Sequence, residues 1–348
     1  MAKNLKQVFL HLSKWLGLFN LARYVTRRGL RILCYHGTTL EDESVFRPKL
    51  FMEPAIFQKR LEFLRAQGYP ILSLEDALAR LDRGELPDYA TVITIDDGYY
   101  STYKSACALL RKFSFPATIY ITTYYCTKEN PIFELVVQYM LWKTKKTHLE
   151  LACLLPSLSG KFSLIDTKEK SEVGEKLIQF GKKKCDEQQR ITLAKRLGDL
   201  LEIDFEHIRE SRILSLMNRE EIQSLVARGV DIQLHTHRHH LPLDEMRAKK
   251  EILNNKTVLE PLVGKQLQHL CYPSGVWSQE LWPWLTNVGI QSAMTCEVGL
   301  NYPETPKLGL KRFLDGEYIT QIEFEAELAG YSELLRHMRS GLKYFLTR

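Results

Sequence analysis

The feature that most constrains this chain is a recurrence of short apolar runs, each followed by a stretch of helical periodicity. Leu30–Tyr35, Thr91–Ile95, Ala117–Thr122, Val230–Leu234, Leu267–Tyr272, Ile290–Thr295 and a last run near Leu308–Leu314 are too short for helices, and several are β-branched. Between them, Glu53–Gln67 carries Ile56, Phe57, Leu61 and Leu64 at helical spacing. Ser73 with Asp76, and Asn218 with Glu221, are capping-box openings, the second for a helix ending at Gly229, and about Leu243–Leu262 reads as one long helix. Apolar strands alternating with helices imply a parallel sheet covered on its faces, open or closed into a barrel. Residues 127–212 break the rhythm: they are charged and helical, with no convincing strand, and read as an insertion. Residues 319–348 read as a closing amphipathic helix with a basic end (Arg336, Arg339, Lys343, Arg348).

Charge is distributed unevenly. The net charge is +6, but residues 1–31 hold seven basic side chains and no acid, so the remaining 41 basic and 42 acidic residues leave −1. A body without cationic surplus argues against nucleic acid as a partner. Within 1–29, Leu5, Val8, Phe9, Leu12, Trp15, Leu16 and Phe19 share one helical arc, with Lys3, Lys6 and Lys14 opposite. Two readings stand side by side: an interfacial helix pressed onto an anionic membrane surface, or a helix packed on the body. The stretch lacks the compact apolar core and cleavage site of a signal peptide, and no apolar run approaches the ~18 residues that span a bilayer. Seven cysteines without a CxxC pair fit reduced thiols. The expectation is a cytoplasmic protein, peripheral on the inner face of the membrane.

The chemistry sits at strand ends. Ile93-Thr94-Ile95-Asp96-Asp97-Gly98 places two carboxylates after a buried strand, where α/β folds build active sites, although Asp-Gly is also ordinary turn punctuation. His235-Thr236-His237-Arg238-His239-His240 follows a second strand, and four histidines in six residues are hard to explain as packing. Two imidazoles four positions apart plus a remote carboxylate make a 2-His-1-carboxylate set with open positions, a catalytic rather than a structural metal geometry. Leu33-Cys34-Tyr35-His36-Gly37 ends a third strand in an imidazole suited to proton transfer. Leu270-Cys271-Tyr272-Pro273-Ser274-Gly275 runs a fourth into a tight turn.

Asp96-Asp97-Gly98, His235-Thr236-x-x-His239 and the Tyr-Pro-x-Gly strand end, in that order, resemble the NodB-homology polysaccharide deacetylases, carbohydrate esterase family four. Tyr35-His36-Gly37 resembles the start of the circularly permuted branch that includes poly-N-acetylglucosamine deacetylases. The resemblance covers residues 30–126 and 213–318, and implies a distorted (β/α) barrel of about seven parallel strands, with a mostly helical insertion and flanking terminal helices. It implies a divalent metal, zinc above others, on Asp97, His235 and His239, with Asp96 as general base and His36 as general acid. Tyr272, Ser274 and Gly275 match the strand end that borders the substrate, and amides around Ser274-Gly275 offer an oxyanion site. Two positions depart from the family pattern, Cys271 for an Arg that braces the base and Ser274 for an aromatic. Arg312, in the last strand, is the candidate replacement brace, with an ordinary structural salt bridge as the equal alternative.

The activity this implies is hydrolysis of the N-acetyl group of an amino sugar in a cell-envelope or lipid-linked glycan. A deformylase or other small-acyl amidase shares every catalytic residue. A non-haem iron oxygenase has no need of Asp96, and a catalytically silent glycan-binding protein has no need of an intact set. The insertion, following a barrel strand, is expected beside or over the metal as a lid.

Overall fold

The computed structural model describes residues 2–154 and 160–346. Seven strands form the central sheet: β1 (Arg31–Tyr35), β2 (Thr91–Ile95), β3 (Thr118–Ile121), β4 (Asp231–Leu234), β5 (His269–Cys271), β6 (Ser292–Met294) and β7 (Phe313–Leu314). Their order is β6-β5-β4-β3-β2-β1-β7 and every pairing is parallel. Leu310, just before β7, bridges Met294 of β6, so the sheet curls until its two edges meet. The result is a distorted (β/α) barrel, and the apolar runs read from the sequence are its staves.

Around it lie α1 (Ala2–Trp15), α2 (Leu18–Val25), α3 (Pro54–Ala66), α4 (Leu74–Arg83), α5 (Phe133–Lys143), α6 (Thr167–Lys184), α7 (Glu187–Leu201), α8 (Arg219–Ala227), α9 (Glu245–Val263), α10 (Gln321–Leu328) and α11 (Tyr331–Leu346). The two expected caps form: Ser73 accepts from the Asp76 amide, and Asn218 and Glu221 close a reciprocal box. Phe57, Leu61 and Leu64 of α3 are buried together with Ile93 and Ile95 in one core.

Register decides which residues meet. Tyr35 stands opposite Ile95, Ile95 opposite Ile119, Ile121 opposite Leu234, and Leu234 opposite Leu270. The residues that follow each strand therefore gather at one end of the barrel: His36, Asp96-Asp97, His235 and the Tyr272–Gly275 turn.

Three expectations are corrected. The insertion does contain strands, His148–Glu150 paired antiparallel with Lys161–Ser163. Three residues on each side are too few to show a period in sequence. The N-terminal segment is two helices, broken after Trp15 with Gly17 at φ 75°. The C-terminal segment is also two, broken at Gly330 with φ 72°. Its Arg336 is not a free basic end, because it pairs with Glu327 and Glu333. Arg348 lies outside the described residues. Among the described residues no helix is long and apolar enough to cross a membrane.

Gly330 is where α10, α11 and α2 lock together, since a Cβ there would overlap Thr26 Oγ1. Gly330→Ala is expected to cost about 1–3 kcal/mol, as overpacked positions do. Thr26→Ala in the same chain should recover part of that loss, read by urea unfolding of all four members of the cycle.

Candidate active site

Asp96 and Asp97 leave β2 in different directions because Asp97 adopts a left-handed φ of 69°, rare for a residue with a Cβ. Thr236 (φ 63°) and His239 (φ 52°) are left-handed as well, so strained backbone is concentrated on the segments that carry the two motifs. The π-helical turn Thr102–Ala106 follows the Asp-Asp-Gly loop, and Thr102 Oγ1 donates to the His36 carbonyl at 3.2 Å, tying the end of β1 to this loop.

Asp97 Oδ1 lies 3.1 Å from His235 Nε2 and 3.3 Å from His239 Nε2. Their ligating atoms fall within 4.8 Å of one another. His235 Nδ1 faces the Cys271 carbonyl at 2.8 Å, an acceptor, so the ring proton belongs on Nδ1. In the neutral ring, Nε2 is then a bare lone pair aimed at a carboxylate oxygen. Two acceptors at that distance need a cation between them, and a carboxylate with two such imidazoles is a donor set for a divalent metal. The residues present therefore fit the implied metal. Burial disfavours the charged form of Asp97, but His239 and His235 beside it hold its carboxyl well below the usual range.

Asp96 is held differently. Arg312, wholly buried, is bidentate on it: Nη1 to Oδ1 and Nη2 to Oδ2, both 2.8 Å. Arg312 also donates from Nε to the Thr295 carbonyl and from Nη1 to Thr94 Oγ1. The thiols of Cys34 (3.4 Å) and Cys271 (3.2 Å) point at Oδ2 as well. Burial pushes the Asp96 carboxyl up, yet the guanidinium more than reverses this, and it stays ionised well below the ordinary carboxylate range.

One ring nitrogen of His36 lies within 4.8 Å of an Asp96 carboxylate oxygen, and its Nδ1 is buried without a hydrogen-bond partner. Burial lowers the pKa of this imidazole, against the pull of Asp97 and Asp96. His36, Asp96, Asp97, His235 and His239 thus surround one small space.

The Tyr272–Gly275 turn offers only part of what its sequence leads one to expect. The Gly275 amide donates to the Tyr272 carbonyl and the Tyr272 amide to the Met294 carbonyl, at 3.0 Å each. Of the amides around Ser274-Gly275, that of Gly275 is therefore committed and cannot hold an oxyanion. The Tyr272 hydroxyl is spent on the Leu308 carbonyl, while its ring stacks with Trp277. Ser274 stands at the outer point of the turn with φ 56°. Gly275 is required there, because a Cβ would overlap Cys296.

Three contributors had no such part in the sequence reading. Asn255, fully buried on α9, accepts the His235 amide and donates to the Ile121 carbonyl and Thr123 Oγ1, fixing the end of β4. A polar residue on the buried face of a long helix was its only signal. Cys34 was read only as part of a strand and Cys271 only as a departure from an Arg, and only the closed barrel turns both thiols onto one carboxylate. His237 Nδ1 reaches across to Thr123 Oγ1 at 2.9 Å, beyond β3, while the His240 amide donates locally to Thr236 Oγ1. The insertion reaches the rim where Glu187 accepts from the Tyr124 hydroxyl.

Residues 206–293 match the sequence profile of the family described as polysaccharide deacetylase, a segment that holds His235, His239 and the Tyr272–Gly275 turn. No curated protein sequence matches the chain. Among solved structures, the Streptococcus pyogenes deacetylase PplD in complex with acetate is similar over 86% of this chain and 98% of its own, at 16% identity and a TM-score of 0.56. IcaB from Ammonifex degensii is similar over 86% and 97%, at 17% identity and a TM-score of 0.53. A de-N-acetylase from Aggregatibacter actinomycetemcomitans is similar over 86% and 99%, at 13% identity and a TM-score of 0.52. At such identities the structures speak for the fold, and the profile match covers residues 206–293 alone; both agree with the likeness read from the sequence.

Arg312→Met would leave the Asp96 carboxylate buried without its counter-charge, at an expected cost of about 3–5 kcal/mol in unfolding free energy. The double variant Asp96→Asn/Arg312→Met should be less destabilised than Arg312→Met alone, because the stranded charge is gone.

Proposed function

We propose that this chain, a hydrolase of carbon–nitrogen bonds of the polysaccharide deacetylase type, removes the N-acetyl group from an amino sugar of a cell-envelope or lipid-linked glycan. The observation that carries the reading is the pairing, in one small space, of a carboxylate held ionised by Arg312 with a separate carboxylate and two imidazoles aimed at a common point. A single acid could not serve both purposes. A divalent metal, zinc by the mixed nitrogen and oxygen donors, would be held by Asp97, His235 and His239, and when bound supplies Lewis acidity towards water and the acyl carbonyl.

The chain's own groups divide the proton work. Asp96 Oδ2 already receives Arg312 and faces two thiols, whereas Oδ1 has only Arg312 Nη1 and keeps a lone pair. Oδ1 is therefore the atom that takes the proton of the attacking water. Arg312 orients this carboxylate so that the accepting lone pair does not rotate away. His36, facing the same space, donates its proton to the departing nitrogen, so that the carbon–nitrogen bond breaks to leave a free amine and a carboxylate. The left-handed Asp97 and His239 keep their side chains turned inwards at the strand ends.

Hydrolysis is tested by release of acetate and formate from N-acetylated and N-formylated amino-sugar glycans. The expected result is acetate release that a chelator abolishes and zinc restores. Asp96→Asn should lower kcat by about 10²–10⁴-fold, the range of a lost general base, while Asp97→Ala should lose zinc binding by calorimetry. Formate release alone would make the enzyme a deformylase. No release by zinc-loaded protein from any glycan would make it a binding protein.

We place the work at the cytoplasmic face of a membrane, where a lipid-linked glycan would meet the acid-free N-terminal segment of residues 1–31.

A further inference from the structure

Helices α1 and α2 are mounted with their apolar sides outwards. On α1, Lys6, Leu10, Ser13 and Lys14 form the face that meets the protein. Lys6 donates to Glu323 at 2.7 Å and Lys14 to Glu325, both on α10, while the Tyr331 hydroxyl donates to Ser13 Oγ. Leu10, with Phe19 and Ala22 of α2, packs against Ile322, Ala326 and Tyr331. The opposite face of α1 is a continuous apolar stripe left in solvent: Leu5 is 72% exposed, Leu12 54%, Trp15 81% and Leu16 63%. On α2 the stripe continues through Leu21, Tyr24 and Val25, all more than half exposed. A soluble helix buries such a stripe; this one turns it outwards, and an apolar patch of that extent on a folded surface marks an interaction site.

We infer that this stripe inserts into the headgroup and upper acyl region of a lipid bilayer, laying the barrel on its flank against the membrane. Charge selects this occupant. Neither helix contains an acid, and Lys6, Lys14 and Arg28, on the protein side of the two helices, stay half or more exposed. A second copy docked face to face would find no carboxylate on either helix to form an ion pair across the interface, whereas a bilayer takes the stripe below its headgroups without one. Trp15 and Tyr24 on that face have the amphipathic rings that favour this depth. All three cations already have carboxylate partners, Glu323, Glu325 and Asp88, so apolar insertion, rather than attraction to anionic lipid, carries most of the binding.

Orientation follows from α10. This helix starts soon after Asp315 and Gly316, which line a cavity with His36, and ends at Leu328, whose carbonyl accepts from Arg31 Nε at the far end of β1. It runs along the side of the barrel, and α1 lies outside it. The active-site mouth then opens along the membrane plane. This rests on the proposed reading of the substrate as a glycan carried at a membrane, but its test does not depend on turnover.

Full-length protein is floated with vesicles of neutral phosphatidylcholine and with vesicles containing phosphatidylglycerol, at 0.1 and 0.5 M NaCl. Flotation on both, changing less than about threefold with salt, is the expected outcome. Leu12→Glu/Trp15→Glu, two exposed positions far from the site, should lower binding more than tenfold with acyl release from a soluble glycan unchanged. Flotation only on anionic vesicles and lost in high salt would overturn insertion. A dimer in solution that the same double variant dissociates, with no flotation, would assign the stripe to a second copy. If the protein floats but releases no acyl group, insertion stands and the deacetylase reading falls.

Discussion

The pairing of Arg312 with Asp96 is the interaction on which the rest of this barrel depends. Arg312 comes from the segment entering β7, yet it reaches Asp96 and Thr94 of β2, the Thr295 carbonyl after β6, and the Cys271 sulphur of β5. One side chain therefore links four staves across the interior, close to where Leu310 closes the sheet on Met294. Burying a guanidinium and a carboxylate is costly on its own, and the bidentate geometry with all five N–H donors of Arg312 engaged is what offsets that cost. The same geometry holds Asp96 ionised and immobile. Closure of the fold and readiness of the base are thus served by one contact.

The second carboxylate shows how adjacent residues acquire different properties. Asp96 faces a permanent cation, and Asp97, one position on and turned by its left-handed backbone, faces two imidazoles. Asn255 and the Cys271 carbonyl fix the backbone and the tautomer of His235, so the donor set is shaped before any metal arrives. Several of these supports come from elements distant in sequence, among them α9 and β5. They share no pattern with the motif they hold.

The strands were legible because a buried parallel strand is a local signal: five apolar or β-branched residues in Thr91–Ile95 are sufficient. So were the helix starts at Ser73 and Asn218, where the cap bonds join residues three apart. The metal and base candidates could be read for the same reason, since His235 and His239, and Asp96 and Asp97, are near neighbours in the chain. The short hairpin of the insertion was not legible, nor were the breaks at Gly17 and Gly330, because each depends on what the segment packs against. The engagement of the Gly275 and Tyr272 amides likewise depends on turn closure and strand pairing that composition does not reveal.

The N-terminal helix draws the line most clearly. Its sequence determined that it would be amphipathic, acid-free and basic on one side, because those properties follow from spacing along 3.6 residues per turn. Which side would meet the protein was decided only by residues more than 300 positions away: Glu323 and Glu325 take Lys6 and Lys14, Tyr331 bonds Ser13, and Ile322 packs with Leu10, which leaves the apolar stripe outwards. In the same way the sequence by itself determined the strands, the caps and the residue types of the site. The tertiary structure alone decided that His36, Asp96, Asp97, His235 and His239 share one space, because register and barrel closure are properties of strands far apart in the chain.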